Sequence, residues 1–206
     1  MKKKTIKYLL CFIVFFNSLK DIYSQQINPI FSFIEIGGGA LIADQNNKDF
    51  GNAHFIFNNS PSIYTTEHLG LGFGYSIMAY SLNKRLTELS QGNDIVFNIP
   101  IYVHGMYIFP GYKKYYPFIH LKAGYGILSK EVKITESQSQ EAREYKYSGG
   151  RYLGTSIGVF YNFNSDHKFS ISLSCNLMNY HLKINATESI KRDNTAVSIN
   201  IGWLLN

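Results

Sequence analysis

Leu69-Gly70-Leu71-Gly72-Phe73-Gly74-Tyr75-Ser76-Ile77 alternates large apolar residues with glycine and serine at period two. Successive side chains of a β-strand point to opposite faces. Leu69, Leu71, Phe73, Tyr75 and Ile77 therefore share one face, and Gly70, Gly72, Gly74 and Ser76 the other. A half-buried strand of a soluble sandwich would carry Lys, Glu and Thr on its second face. Here that face is small and uncharged. The pattern fits a barrel whose apolar side meets lipid and whose small, polar side fills a narrow lumen.

The same alternation recurs outward from this segment in both directions. It predicts strands at about 31–42, 51–58, 67–81, 94–109, 115–131, 146–163, 167–183 and 195–205. In the fourth, Ile95, Phe97, Ile99, Ile101 and Val103 oppose Asn98, Tyr102, His104 and Met106. In the fifth, Ile119, Leu121, Ala123 and Tyr125 oppose His120, Lys122, Gly124 and Gly126. The sixth sets Leu153, Ile157 and Val159 against Gly154, Ser156 and Gly158. The seventh sets Phe169, Ile171, Leu173, Cys175 and Leu177 against Ser170, Ser172, Ser174 and Asn176. The eighth sets Val197, Ile199, Ile201 and Trp203 against Ser198, Asn200 and Gly202. The second segment is short and weak. The first is ambiguous, because Phe31 and Phe33 compete with Ile34 and Ile36 for the apolar face.

The connections alternate in length. Gaps at 43–50, 82–93, 132–145 and 184–194 are longer and polar. Those at 59–66, 110–114 and 164–166 are short and turn-like, with Asn59-Ser60-Pro61 and Pro110-Gly111-Tyr112 as examples. Long loops outside and tight turns in the periplasm are what a transmembrane barrel shows. Phe31, Phe33, Tyr107, Phe109, Tyr112, Tyr115, Tyr116, Tyr161, Phe163, Phe169 and Trp203 gather at the short-turn end and read as an interfacial aromatic girdle. Pro100 and Pro117 fall inside predicted strands, where each is expected to mark a bulge or a strand end.

The N-terminus reads as an export signal. Lys2, Lys3, Lys4 and Lys7 precede the apolar run Tyr8–Phe16, and Ile22-Tyr23-Ser24 offers a cleavage site. The run is far shorter than the roughly 20 apolar residues of a spanning helix. The expected division is a signal peptide over 1–24 and one barrel domain over 25–206. The 206-residue chain has a formal net charge of +6, but its first 24 residues hold five lysines and one aspartate. The mature chain keeps about +2, with no basic stripe, so no nucleic-acid partner is expected. Cys11 leaves with the signal, and Cys175 then stands alone on an apolar face, where it reads as a small hydrophobe rather than a reactive thiol.

The run from Ile99 to Gly126, with IPIYVHGMYIF, a short turn and YYPFIHLKAGYGI, resembles the central hairpin of the small eight-stranded outer-membrane barrels of OmpA/OmpX-like type. The last residues, AVSINIGWLLN, resemble the terminal strand read by the barrel assembly machinery, although the chain ends Leu205-Asn206 rather than on an aromatic residue. The resemblance implies an all-β, eight-stranded antiparallel up-and-down barrel in the outer membrane of a Gram-negative-type cell. Outer-membrane lipid and the assembly machinery are then its partners. It implies no single activity, because fold does not fix function.

Candidate chemistry is sparse. Glu35, His104, Lys122, Asn176 and Asn200 fall at similar heights, with His120 nearby. A buried charge is costly unless paired, so Glu35 and Lys122 are expected to pair across the bore within a polar network that plugs it. A gate or a catalytic group is the rival reading of the same residues. His181, Glu188 and Ser189 are the nearest candidates for a lipid-modifying site, but no spacing links them into a triad. The glycine runs open no helix, which excludes phosphate cradles of the helix type. No cluster has metal-ligand spacing, so no cofactor is expected. Asn185-Ala186-Thr187 is a chance match to a glycosylation acceptor. The expected work lies in the external loops, in adhesion, envelope contact or membrane integrity. The rival from another class is a secreted soluble barrel that carries a small apolar ligand, which would place Leu69, Leu71 and Phe73 inside.

Overall fold

A computed structural model describes residues 30–43, 50–82, 95–135, 142–163, 167–184 and 188–205. The strands in chain order are β1 (Ile30–Ala43), β2 (Phe50–Tyr64), β3 (Leu69–Leu82), β4 (Ile95–Ile108), β5 (Tyr115–Thr135), β6 (Ala142–Ser148), β7 (Arg151–Asn162), β8 (His167–Ile184) and β9 (Glu188–Leu205). All neighbours run antiparallel, and β1 pairs with β9 from Ser32↔Leu205 to Ala43↔Asn194. That pairing closes the sheet and removes its edges.

β6 and β7 are two halves of one stave, so the barrel has eight. The break falls at Gly149-Gly150. The register of β5 is Ser129↔Ser148 above it and Tyr125↔Arg151 below it, an offset of one residue. One extra residue is a β-bulge. Gly126 N–H donates to Gly150 O at 2.7 Å, and the Tyr125 hydroxyl donates to Gly149 O at 3.0 Å. A Cβ on Gly149 would run into the Gly126 carbonyl, so the close approach requires glycine there.

The facing follows the predicted alternation. β4 reads exposed–buried from Ile95 to Ile108 without a break in order. Ile157 is 56% and Ile199 66% exposed on the outer wall, while their neighbours Ser156 and Ser198 are buried. Leu71 and Phe73 also lie outside, at 46% and 42% exposure, the reverse of what a soluble carrier needs. Among the described residues no helix is long and apolar enough to cross a membrane; any crossing falls to the strands.

Several boundaries differ from the sequence reading. The second strand runs on through Asn59-Ser60-Pro61 to Tyr64, and the turn lies at 65–68 instead. Asn58, Ser60 and Ser62 are polar because they face the lumen, not because they turn. The true turn is fixed by Thr65 N–H donating to Leu69 O at 2.8 Å and by Leu69 N–H donating to Thr66 Oγ1 at 3.0 Å. The gap read at 132–145 is strand up to Thr135 and again from Ala142, and the gap at 184–194 is strand from Glu188 onward. A transmembrane strand needs roughly 9–11 residues, whereas β5 has 21 and β8 and β9 have 18 each. These hairpins therefore continue as paired ribbons past the apolar band, where polar side chains are no obstacle to a strand.

Phe31 and Phe33 do not join the girdle. They point inward at 1% and 0% exposure, because the lumen at that end is filled with rings. Pro100 makes no bulge: β4 keeps one register against β3 and against β5, with Pro100 opposite Gly126. Pro117 marks neither a bulge nor a strand end: it is the third residue of β5 and holds the β5–β7 register opposite Val159. The predicted signal peptide over 1–24, most of the 43–50 and 82–93 loops and the 164–166 turn lie outside the described residues.

Candidate functional site: a polar waist inside the barrel

Inward alternation on eight staves stacks the lumen into three layers. At the short-turn end Phe31, Phe33, Met106, Phe118, Phe160 and Leu204 form an apolar floor. Phe33 meets Phe118 edge-on at 5.5 Å and Phe160 at 5.2 Å. At the long-loop end Phe50, Met78, Tyr80, Tyr147, Tyr152 and Tyr180 belong to a second, largely aromatic layer. Between them lies a polar waist.

The waist centres on Glu35, which is fully buried. Its Oε2 accepts from Lys122 Nζ at 3.2 Å and from Asn58 Nδ2 at 3.2 Å, and its Oε1 accepts from Ser172 Oγ at 2.8 Å. Four staves, β1, β2, β5 and β8, thus meet at one carboxylate. β1 and β5 stand opposite each other in the ring, so the Lys122–Glu35 ion pair spans the bore. Lys122 also lies 5.7 Å from the Tyr102 ring centre, a cation–π contact.

Asn176 and Asn200 join through serines. Asn200 Nδ2 donates to Ser174 Oγ at 3.0 Å and to Ser172 Oγ at 3.3 Å; Asn176 Nδ2 reaches Ser174 Oγ at 3.4 Å. The Tyr152 hydroxyl donates to Asn176 Oδ1 at 2.7 Å. The chain from Tyr152 to Glu35 therefore runs without a gap through Asn176, Ser174, Asn200 and Ser172.

His104 and His120 form a separate pair. His104 Nε2 lies 3.2 Å from Pro61 O, and a carbonyl only accepts, so the proton sits on Nε2. His104 Nδ1 is then an acceptor and takes the His120 Nε2 proton at 3.1 Å. His104 is the cross-strand neighbour of Lys122 in register, but neither histidine bonds to Glu35. The structure thus brings together all six residues singled out in the sequence, as two connected sets rather than one network. Asn58, Ser172, Tyr102 and Tyr152 were missed as partners. Ser172 could have been found by the same counting of heights that picked Asn200, its register partner.

Glycines make this packing fit. A Cβ on Gly74 would stand 2.5 Å from Tyr102 Cε2, and one on Gly72 2.9 Å from His104 Nε2. Gly74→Val is expected to force Tyr102 aside and cost about 1–3 kcal/mol. Urea unfolding in vesicles should show that loss, and Leu71→Val on the outer wall should not.

The waist offers neither an open path nor a metal site. Among the described residues no group of three His, Cys, Asp or Glu side chains could hold a metal ion. His181 and Ser189 are not register partners: His181 pairs with Lys191, and Ser189 with Lys183.

No protein-family model matches the chain. No curated protein matches it either. Solved structures do. Neisserial surface protein A is 12% identical, with a TM-score of 0.55, and covers 86% of this chain and 97% of its own. The outer membrane protein OprG from Pseudomonas aeruginosa is 11% identical at 0.56, covering 86% and 95%. The outer membrane protease OmpT from Escherichia coli is 10% identical at 0.50, covering 89% and 99%. The fold is that of the outer-membrane β-barrels. At these identities the likeness carries the fold and not the activity.

Proposed function

We propose that the chain is an integral outer-membrane protein whose barrel is a closed anchor and whose work is done by its long-loop end, in adhesion, envelope contact or membrane integrity. The observation that carries this is the inverted distribution of the sheet: a continuous apolar outer wall around a lumen filled from floor to aromatic layer. Such a wall has no use in water, and a closed barrel is the one sheet that lipid tolerates. The filled lumen leaves no channel, so the part free to vary and to meet partners is the set of outer connections. The reading includes no catalytic step, and one of the structural neighbours is nonetheless a protease by its name.

The test is complementation. Cells lacking the protein are supplied with the full chain or with a barrel whose residues 44–49, 83–94 and 136–141 are replaced by short turns. The full chain should restore surface adhesion or envelope resistance and the trimmed barrel should not. Full rescue by the trimmed barrel would contradict the loop reading.

Conductance is the second check. With Tyr102, His104, Phe118, Lys122, Phe160 and Met178 all buried inside, reconstituted protein is expected to show no steady porin-like current, since water-filled channels take about 16 strands. Large, stable single-channel steps from the wild type would count against it.

A further inference from the structure

We propose that one side of the outer wall is a binding site for a single phosphate-bearing lipid of the outer leaflet; this rests on the membrane reading above. Two separate features of the wall meet there.

The first is a trough of about 810 Å³ in the apolar band. It follows the register from Leu71↔Gly105 through Leu121↔Thr155 to Thr155↔Cys175, with Val103↔Ala123 and Leu153↔Leu177 beside it. Gly105, Ala123, Thr155 and Cys175 form its low floor, and the larger Leu71, Leu121, Leu153 and Leu177 its sides. Its shape and chemistry suit an acyl chain lying against the wall.

The second is a cluster of cations directly above the trough's β7–β8 end. Arg151 follows Leu153 on the same face of β7, two residues or about 7 Å nearer the outer end. Lys146, Lys183 and Lys191 continue upward on β6, β8 and β9, all exposed, with His181 between them in the sheet. The register sets Lys146 between Glu131 on β5 and Lys183 on β8, and Lys191 opposite His181. Like charges directly opposite on a sheet destabilise it, so the Lys146–Lys183 pairing lacks a folding rationale. Arg151, Lys183 and Lys191 have no carboxylate as a register partner among the described residues. Asp193, the carboxylate on this face of β9, already takes the Asn179 amide. The unmet charge sits at the upper border of the lipid-facing band, where a phosphate headgroup would stand, and polybasic borders attract anionic lipid. A soluble polyanion would satisfy the cations but leave the trough unused. A neutral lipid would fill the trough but leave the cations unmet.

The experiment is native mass spectrometry of the mature protein released from phosphatidylcholine nanodiscs. The nanodiscs carry trace phosphatidic acid or diacylglycerol with the same chains, or the buffer carries inorganic phosphate. Phosphatidic acid should be retained about tenfold better than diacylglycerol, a difference of one decade in affinity, and inorganic phosphate should not be retained. Replacing Lys146, Arg151, Lys183 and Lys191 together by Gln should bring phosphatidic acid down to the diacylglycerol level. Ala123→Leu, which fills the trough from outside, should weaken both lipids. Lys183→Arg with Lys191→Arg should keep wild-type retention. Equal retention of the two lipids by the wild type, an unaffected Gln variant, or retention of inorganic phosphate with no effect of Ala123→Leu would each overturn the site. Failure of the wild type to enter nanodiscs at all would overturn the membrane reading instead.

Discussion

Glu35→Gln is expected to cost the barrel roughly 3–5 kcal/mol of folding stability, and Lys122→Met about as much, because each strands the other charge in a buried site. The Glu35 carboxylate is wholly buried, and its three donors come from β2, β5 and β8. Losing Lys122 leaves Asn58 and Ser172 to hold a full negative charge. The double variant, with neither charge present, should recover part of the loss, because a buried ion pair recovers little of its own desolvation cost and removing both ends removes that cost too. Ser172→Ala, which deletes one hydrogen bond to a charged group, should cost less, about 1.5–3 kcal/mol. Urea titration of the protein folded in lipid vesicles measures all four. Strict additivity of the two charge changes would mean that the 3.2 Å contact contributes no coupling.

Ile157→Arg is expected to cost about 2–4 kcal/mol in the same assay, the penalty for a cation near the middle of the lipid-facing band. Ile157 is flanked in register by Ile119 and Leu173, both on the same outer face, so the new guanidinium would have no polar neighbour to reach. Asn179→Arg, six residues toward the outer end from Leu173 and level with Arg151, should cost about 1 kcal/mol or less, since the penalty fades toward the interface. Equal losses at the two positions would show that the wall does not sit in a depth-graded medium.

How far the sequence carries the account varies from stave to stave. In β3, β7, β8 and β9 the lumen-facing residues are mostly glycine, serine and asparagine, so alternation alone separates the two faces; in β4 and β5 the regular outer series Ile99, Ile101, Val103 and Ile119, Leu121, Ala123 does so. β1 hides its facing because the floor of the lumen is apolar. Phe31 and Phe33 share the inner face with Glu35, Gly37 and Gly39, and hydropathy taken residue by residue misplaces them. Strict period two across Phe31, Phe33, Glu35, Gly37 and Gly39 would have placed all five correctly. The end of β2 was misread for the opposite reason: Asn59-Ser60-Pro61 has the composition of a turn, yet Asn58, Ser60 and Ser62 are polar to suit the waist. The outer hairpins run further than their composition suggests, because charge does not end a strand: β5 and β8–β9 simply leave the lipid. The Glu35–Lys122 contact was legible because opposite charges on opposite staves of a narrow barrel have nowhere else to go. Asn58 and Ser172 were not, because a lone serine or asparagine on an inner face carries no mark of which charge it serves.

The most direct test of the account is a cysteine scan along Arg151–Asn162 in a Cys175→Ser background, with the protein folded in vesicles that contain brominated lipid. Single cysteines at 153, 155, 157 and 159 should accept an environment-sensitive fluorophore and be quenched by the lipid, and those at 154, 156 and 158 should resist labelling or escape quenching. An alternation of that kind would place the apolar wall in lipid and the small residues in the lumen. Quenching that ignores the odd–even order, or falls on the even positions, would contradict the inverted barrel on which every other statement depends.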